Sequence, residues 1–437
     1  MISMIKQHTT RSFAAVTMLI LLLMSTSIAF AQDDVAEDEA TRDETISDTL
    51  YEQLELLQQF TREARGLEEK GAFQIVFPTR ADLALYLSVT LEEELSPEVL
   101  AEEMAFYSAF DFLPSDYALY EEYESLYMAQ IGGFYDPETK DMNVLVLTSD
   151  ELGDELPLFE QIIYVHEYTH TLQDMNFDLT SYLDSTDTMS TDEAMARLAL
   201  VEGDASNIMS LYTVFIAEEN PLATLAELLL SGMEVGGLTL PAGTPDILGA
   251  ELLFPYEAGM EFVTALYQAA GWAGVNDAFS MPPISTEQIL HPDKYLEGDM
   301  PQEVTLPDVG ALLGDDWQLA NEGRMGEFHL QQYLITQISR STSRRAAAGW
   351  GGDAYVIYED DAGNQAWVLS VVWDSPEDEA EFREAYADFA MIRFDEAVAD
   401  APCWSDLTSV TCLSVEGTTL VKAPTLETAL ALLNGGA

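Results

Sequence analysis

The sequence predicts an α+β protein: a mainly helical domain with a small edge β-hairpin, followed by a small C-terminal α+β sandwich. Three observations predict it. From about residue 51 to residue 292, apolar residues recur at helical spacing, in stretches opened by capping sequences. Between residues 132 and 147 this pattern is interrupted by a Gly-Gly-aromatic run and a Pro-containing turn, the signature of a hairpin. After about residue 346, short β-branched and aromatic runs alternate with two helical segments.

In chain order, Lys6 and Arg11 precede an apolar run from Phe13 to about Leu23, then Ala29-Phe30-Ala31. A basic start, an apolar centre and a small-x-small end describe a secretory signal peptide over residues 1–31, and hence a secreted or otherwise extracytoplasmic protein. Residues 32–70 read as an acidic linker and an N-terminal helix from Tyr51 to about Arg65, with Leu54, Leu57 and Phe60 on its apolar stripe; a pro-segment is the alternative. The main domain spans 71–345. Its hairpin pairs Gly132-Gly133-Phe134-Tyr135 with Met142–Leu147, across a turn at Asp136-Pro137. Helices follow at Leu158–Asp174, from Ser190 past Met209, at Tyr256–Ala269, and from Ser285 to Pro292. Ser190-Thr191-Asp192-Glu193 has capping-box form, which fixes the start of the second.

The C-terminal domain spans 346–437. Strands are expected at Tyr355–Tyr358, Trp367–Trp373, Val410–Val415 and Thr418–Val421, with helices at Pro376–Phe394 and Leu426–Leu433. The order β-β-α-β-β-α suggests a ferredoxin-like sandwich. Cys403 and Cys412 are the only cysteines; in an exported chain they are expected to form a local disulfide.

Composition narrows the partners. Of 437 residues, 48% are hydrophobic and 10% aromatic, so the chain folds around a core. Seventeen basic against 78 acidic residues give a formal charge of -61. Such a surface repels nucleic acid and anionic membranes. No segment after residue 31 is long and apolar enough to insert stably in a bilayer. These exclusions leave the substrate class to the motif that follows.

That motif is Val165-His166-Glu167-Tyr168-Thr169-His170. On a helix, His166 and His170 stand one turn apart on one face, so both imidazoles can reach one Zn2+ ion. Glu167 borders that face, where it can take a proton from a metal-activated water. A catalytic zinc site needs a third protein ligand. Glu202 interrupts an apolar stripe of Met195, Leu198, Ala199, Ala205 and Met209 on the next helix. A carboxylate on a buried stripe is costly unless paired or bound to metal, which singles out Glu202. Asp174 and Asp204 are candidates to accept from the far nitrogens of the histidines.

His-Glu-x-x-His followed by a helical Glu202-Gly203-Asp204-Ala205 resembles the gluzincin superfamily of zinc peptidases, which includes thermolysin and aminopeptidase N. His166–Asp174 also resembles a group of bacterial exported metallopeptidases. The resemblance covers roughly residues 130–270, and the gap of 31 residues between His170 and Glu202 is longer than usual for those families. It implies a zincin-like fold for the main domain and zinc-dependent peptide hydrolysis. Pro255-Tyr256-Glu257-Ala258-Gly259 is similar to the Tyr-x-x-Gly segment of the aminopeptidase branch, which implies that Tyr256 stabilises an oxyanion. His291, after the short capped helix, is a second candidate for that role. Met142–Leu147 is expected to accept an extended peptide by β-addition. No acidic exopeptidase motif accompanies these features. Two other classes stay open: a non-catalytic module holding a peptide or cell-wall partner, and a zinc hydrolase of non-peptide amides or esters. Glu167 argues against the first, because a binder needs no general base.

Overall fold

The computed structural model describes residues 46–130, 132–137, 139–147, 152–183, 189–219, 221–234, 240–398 and 402–435. The signal peptide expected at residues 1–31, and most of the acidic linker, lie outside the described residues. Helix α1 (Asp48–Arg65) and strand β1 (Gln74–Val76) lead to helices α2 (Arg80–Glu94), α3 (Pro97–Ala109) and α4 (Leu119–Gln130). The hairpin β2 (Gly133–Asp136) and β3 (Asp141–Val144) comes next, then α5 (Leu158–Phe177), α6 (Leu179–Leu183), α7 (Thr191–Glu219), α8 (Pro221–Glu234) and α9 (Asp246–Ser280).

Helix α5 carries the histidine motif, and every residue from Ile162 to Asp174 on it is buried. A helix buried on all faces needs partners all round. Helix α1 supplies one. Ser47 caps its start, and Gly66 in the left-handed region (φ 71°) ends it. Leu50, Leu54 and Leu57 pack with Tyr164, Val165 and Tyr168 of α5. Gln58 Nε2 donates to Tyr164 Oη at 2.7 Å, and Arg62 Nη1 to Tyr168 Oη at 2.8 Å. The N-terminal helix is therefore part of the wall around the motif.

Helix α7 packs along α5 and crosses α9 with no side chains between the backbones. A methyl group added to Gly203 would lie 2.1 Å from the Gly259 carbonyl carbon, and one added to Gly259 would lie 2.0 Å from Ala199 O. Both glycines belong to the motifs read from sequence, and the crossing explains them: only a missing Cβ lets the two helices approach so closely. Helix α9 is longer than the expected Tyr256–Ala269. It runs through Pro255 and changes direction at Gly271 (φ 64°). Proline removes one helical hydrogen bond, but Phe254 beside it is fixed against Phe328 at 4.5 Å between centroids, so packing carries the helix through.

The first sheet has three strands in the order β1-β3-β2, with β1 parallel and β2 antiparallel to β3. This corrects the expected peptide-accepting strand. Met142 lies in the central strand, paired on both sides, so the sheet edges among the described residues are β1 and β2, and β2 is the one that lies against the motif helix.

The second region begins with α10 (Thr286–Leu290), α11 (Pro292–Glu297), α12 (Val309–Leu313), β4 (Trp317–Gly323), α13 (Gly326–Ile335) and α14 (Arg340–Ala347). It ends with β5 (Trp350–Asp360), β6 (Gln365–Trp373), α15 (Pro376–Arg393), β7 (Glu396–Ala397), β8 (Cys403–Ser405), β9 (Val410–Leu413), β10 (Thr418–Ala423) and α16 (Leu426–Gly435). Seven strands form one sheet in the order β4-β5-β6-β10-β9-β8-β7, every pair antiparallel. The α+β class stands, but the order is not ferredoxin-like. Hairpins join β5 to β6, β8 to β9 and β9 to β10, so sequence neighbours pair; α15 carries the chain across the sheet from β6 to β7. Helices cover both faces. Tyr355, Ile357, Trp367 and Leu369 face the main core, while Val356, Ala366 and Val368 face a second cluster with Val309, Ala429 and Leu432. Strands apolar on both sides require cover on both sides. The sheet also takes in Trp317–Gly323, upstream of the compositional change at residue 346, and its Trp367 Nε1 donates to Ala109 O of α3 at 3.0 Å. Cys403 and Cys412 are joined in a disulfide across β8 and β9. Among the described residues, no helix is long and apolar enough to cross a membrane.

Replacing Gly259 by Ala should lower the unfolding free energy by about 1–3 kcal/mol, because the added methyl meets backbone that cannot move aside without parting two helices. Urea denaturation measures this; an unchanged midpoint would show that the crossing tolerates a side chain.

Candidate metal centre

The ligand atoms converge. His166 Nε2 lies 3.0 Å from His170 Nε2 and 3.2 Å from Glu202 Oε2, and His170 Nε2 lies 3.5 Å from the same oxygen. Three atoms about 2.0–2.1 Å from one ion at tetrahedral angles are about 3.3 Å apart. The observed triangle therefore has the edges of one face of a metal tetrahedron. Two imidazoles and a carboxylate are also the donor set of a catalytic site that keeps a position open. Among the described residues, this is the one group of three or more such side chains placed to hold an ion.

Each ligand is placed by a different feature. Helical spacing stacks the two imidazoles, whose rings meet edge-on with centroids 4.7 Å apart. Glu202 comes from α7, where Leu198, Ala199, Val201 and Ala205 are fully buried around it. It has no solvent route of its own, so its charge must be met by the histidines or by what they bind. Burial pushes the Glu202 carboxyl up, but the two imidazoles overcome this and hold it down to about 2. Burial pulls the His170 imidazole down, but Glu202 and Glu167 outweigh it and raise the group to about 9. Without an ion, a proton thus holds the triangle together. His166 is the most exposed of the three ligands at 9%, against 2% for the others, so the site opens on its side.

Glu167 is buried beside the triangle. Burial raises its pKa, against the lowering effect of the imidazoles. Its stem rests on the edge strand: a Cβ on Gly133 would lie 2.9 Å from Glu167 Cγ. Tyr256 stacks on His166 with ring centroids 6.1 Å apart and reaches Glu202 with its hydroxyl. Burial, then the charges of Glu202 and Glu167, raise its pKa well above the usual tyrosine value, so it remains a donor.

Other expectations need correction. Asp174 does not touch either histidine. It accepts from Tyr135 Oη at 2.8 Å, Lys140 Nζ at 2.6 Å and Leu179 N at 3.1 Å, so it pins the hairpin to the end of α5. The single turn from His170 to Asp174 aims the carboxylate away from the ring and toward the sheet. Asp204 does not meet a histidine directly either. The acceptor for His170 Nδ1 is Gln173 Oε1 at 2.8 Å, and Gln173 Nε2 in turn donates to Asp204 at 2.9 Å. Sequence reading missed Gln173 because it searched for carboxylates, whereas an amide one turn minus one residue away can also accept. His291 lies in a different cluster: its Nε2 is 3.0 Å from Glu327, beside Glu287 and Lys294, and none of these partners belongs to the metal group. Its hydrogen bond and ion pair go to Glu327 rather than to the metal group. Buried Glu327 claims it as a counter-charge.

A family model described as a domain of unknown function (DUF8575) matches residues 317–433. That range starts at the first residue of β4 and ends within α16, so it coincides with the seven-stranded sheet and excludes the metal group. No curated protein matches the chain. Among solved structures, a chain from Chloroflexus aurantiacus described as a candidate hydrolase with a novel fold superposes with a TM-score of 0.36 at 16% identity, covering 66% of this chain and 99% of that one. So loose a superposition carries no argument about this site.

The pKa of His170, raised by Glu202 and Glu167, favours a protonated ring at neutral pH in the metal-free protein, and an ion must displace that proton. Binding of a divalent ion at pH 7 should release about one proton, and affinity should rise as pH approaches 9. Calorimetry in buffers of different ionisation enthalpy reads the proton count; zero release would contradict the shared-proton arrangement. Glu202→Ala should abolish stoichiometric binding, and full metal content in that variant would remove Glu202 from the ligand set.

Proposed function

We propose that the protein is a secreted zinc-dependent metallopeptidase. The observation that carries this reading is the triangle of His166, His170 and Glu202 with the buried carboxylate of Glu167 at its side. A site built only to hold an ion needs no acid-base group next to it. Two imidazoles and one carboxylate suit zinc, and His166, His170 and Glu202 would hold it. The ion would supply Lewis acidity, acidifying a water and polarising the scissile carbonyl.

The chain's own groups do the rest. Glu167 accepts the proton of the attacking water and hands it to the leaving amine. Its raised pKa brings it nearer the range where a carboxylate both takes and returns a proton. The Tyr256 hydroxyl donates to the developing oxyanion, and its elevated pKa keeps the proton in place. The open edge of β2 offers backbone hydrogen bonds to an extended substrate. Gly132 and Gly133 let that edge lie flat on Ile163 and Glu167, so a peptide paired with β2 passes over the metal triangle. The β-sheet edge favours peptides over small esters and amides, which cannot form a strand.

Glu167→Gln should keep stoichiometric zinc and lose about two to four orders of magnitude in turnover of a peptide library. Mass spectrometry of the digest, with and without chelator, checks both halves. Cleavage that survives chelation, or a zinc-loaded Gln variant with full activity, would defeat the proposal.

A further inference from the structure

The residues behind His170 form a chain of hydrogen bonds whose direction is fixed at every link. Arg65, the last residue of α1, is completely buried, and its Nε donates to Asp204 Oδ2 at 2.8 Å, with Oδ1 of the same carboxylate 2.6 Å away as an ion pair. Its guanidinium lies over the Trp272 ring, 4.6 Å from the centroid. Its terminal nitrogens have no acceptor among the described residues, so Asp204 is its only hydrogen-bonding partner there. Asp204 is also fully buried. Paired with a guanidinium, which can only donate, it must act as an acceptor. Gln173 Nε2 sits 2.9 Å from Asp204 and 3.0 Å from Val201 O. Both of those groups only accept, so the nitrogen of the amide must face them. The amide oxygen must then face His170 Nδ1, 2.8 Å away. Nδ1 must therefore carry a hydrogen, and once the second proton that the metal-free ring shares with Glu202 has left, the Nε2 lone pair points at Glu202 and His166. With the amide turned over, Gln173 would donate to Nδ1, the hydrogen would move to Nε2, and the metal position on that ring would be blocked.

We propose that Arg65 and Asp204 are positioning residues that, together with the Val201 carbonyl, set the tautomer of His170 by fixing the orientation of the Gln173 amide. The inference rests on the metal reading above and adds to it. It gives the N-terminal helix a task in the site: α1 delivers the donor that starts the chain, so removing α1 as a pro-segment would disarm the protein rather than activate it. His166 supplies the contrast. Its Nδ1 is buried with no acceptor among the described residues, so only one of the two rings is held this way.

The test is a zinc-affinity cycle on the full chain, read by competition with a chromogenic chelator. One variant is Gln173→Leu, which keeps the Arg65–Asp204 pair. The other replaces the pair together, Arg65→Met with Asp204→Leu, so that no charge is left buried alone. Each should weaken zinc binding about 10–100-fold. Combined, they should be no weaker than the weaker of the two, because both act through the same amide. Thermal unfolding of the metal-free variants confirms that they fold. Wild-type affinity in the pair variant, or losses that multiply in the combination, would overturn the inference. Failure of wild-type protein to bind zinc at all would instead overturn the metal reading.

Discussion

Glu202 is a carboxylate fixed on a buried helical stripe, and the structure is organised around meeting its charge. Apolar side chains surround it along α7, and the imidazoles of His166 and His170 are its counter-groups. Desolvating a lone carboxylate is costly enough that it would normally become neutral. Here the opposite holds: the histidines keep it ionised. The same attraction that holds a proton in the triangle would hold a divalent ion more strongly, because the ion brings two charges to the same three atoms. Stability of the fold and occupancy of the site are thereby linked.

That arrangement forces α5 into the interior. A helix with two histidines, two glutamates, two tyrosines, two threonines, two glutamines and an aspartate from Glu160 to Asp174 would normally keep a wet face. Each buried polar group on it instead needs its own partner. Gln58 and Arg62 of α1 take the tyrosines, Thr169 bonds back to Val165 O, and Lys140 and Tyr135 of the hairpin take Asp174. The partners come from segments distant in sequence, so the motif helix is also the hub that fixes the N-terminal helix, the small sheet and α7 in relation to one another.

The glycine crossing completes the geometry. With Gly203 and Gly259 in backbone contact, the residues one and three positions earlier, Glu202 and Tyr256, are drawn to the same side of the junction. Close approach of two helix backbones sets side-chain separation more tightly than side-chain packing can, since backbones have no rotamers to relax. The seven-stranded sheet contributes no group to the metal triangle. It closes the main core from one end through Trp367 and α3.

The sequence alone determined whatever depends on local spacing. The pairing of His166 and His170, the place of Glu167, the course of α5 and α7, and the hairpin all follow from periodicity or from turn chemistry, and Glu202 was legible because its charge broke an apolar stripe. The strands and helices of the C-terminal region could be read for the same reason. Only tertiary structure decided where polar side chains turn for partners. Asp174 went to the hairpin, His291 to Glu327, and Asp204 to Arg65, while Gln173 took the place expected of an acidic residue. It also decided strand order, that β2 rather than β3 is an edge of the small sheet, and that α1 lies against the motif. A side chain's spacing along its own helix is fixed by the covalent chain, but its hydrogen-bond partner is whichever group another element brings within 3 Å, and no local pattern encodes that.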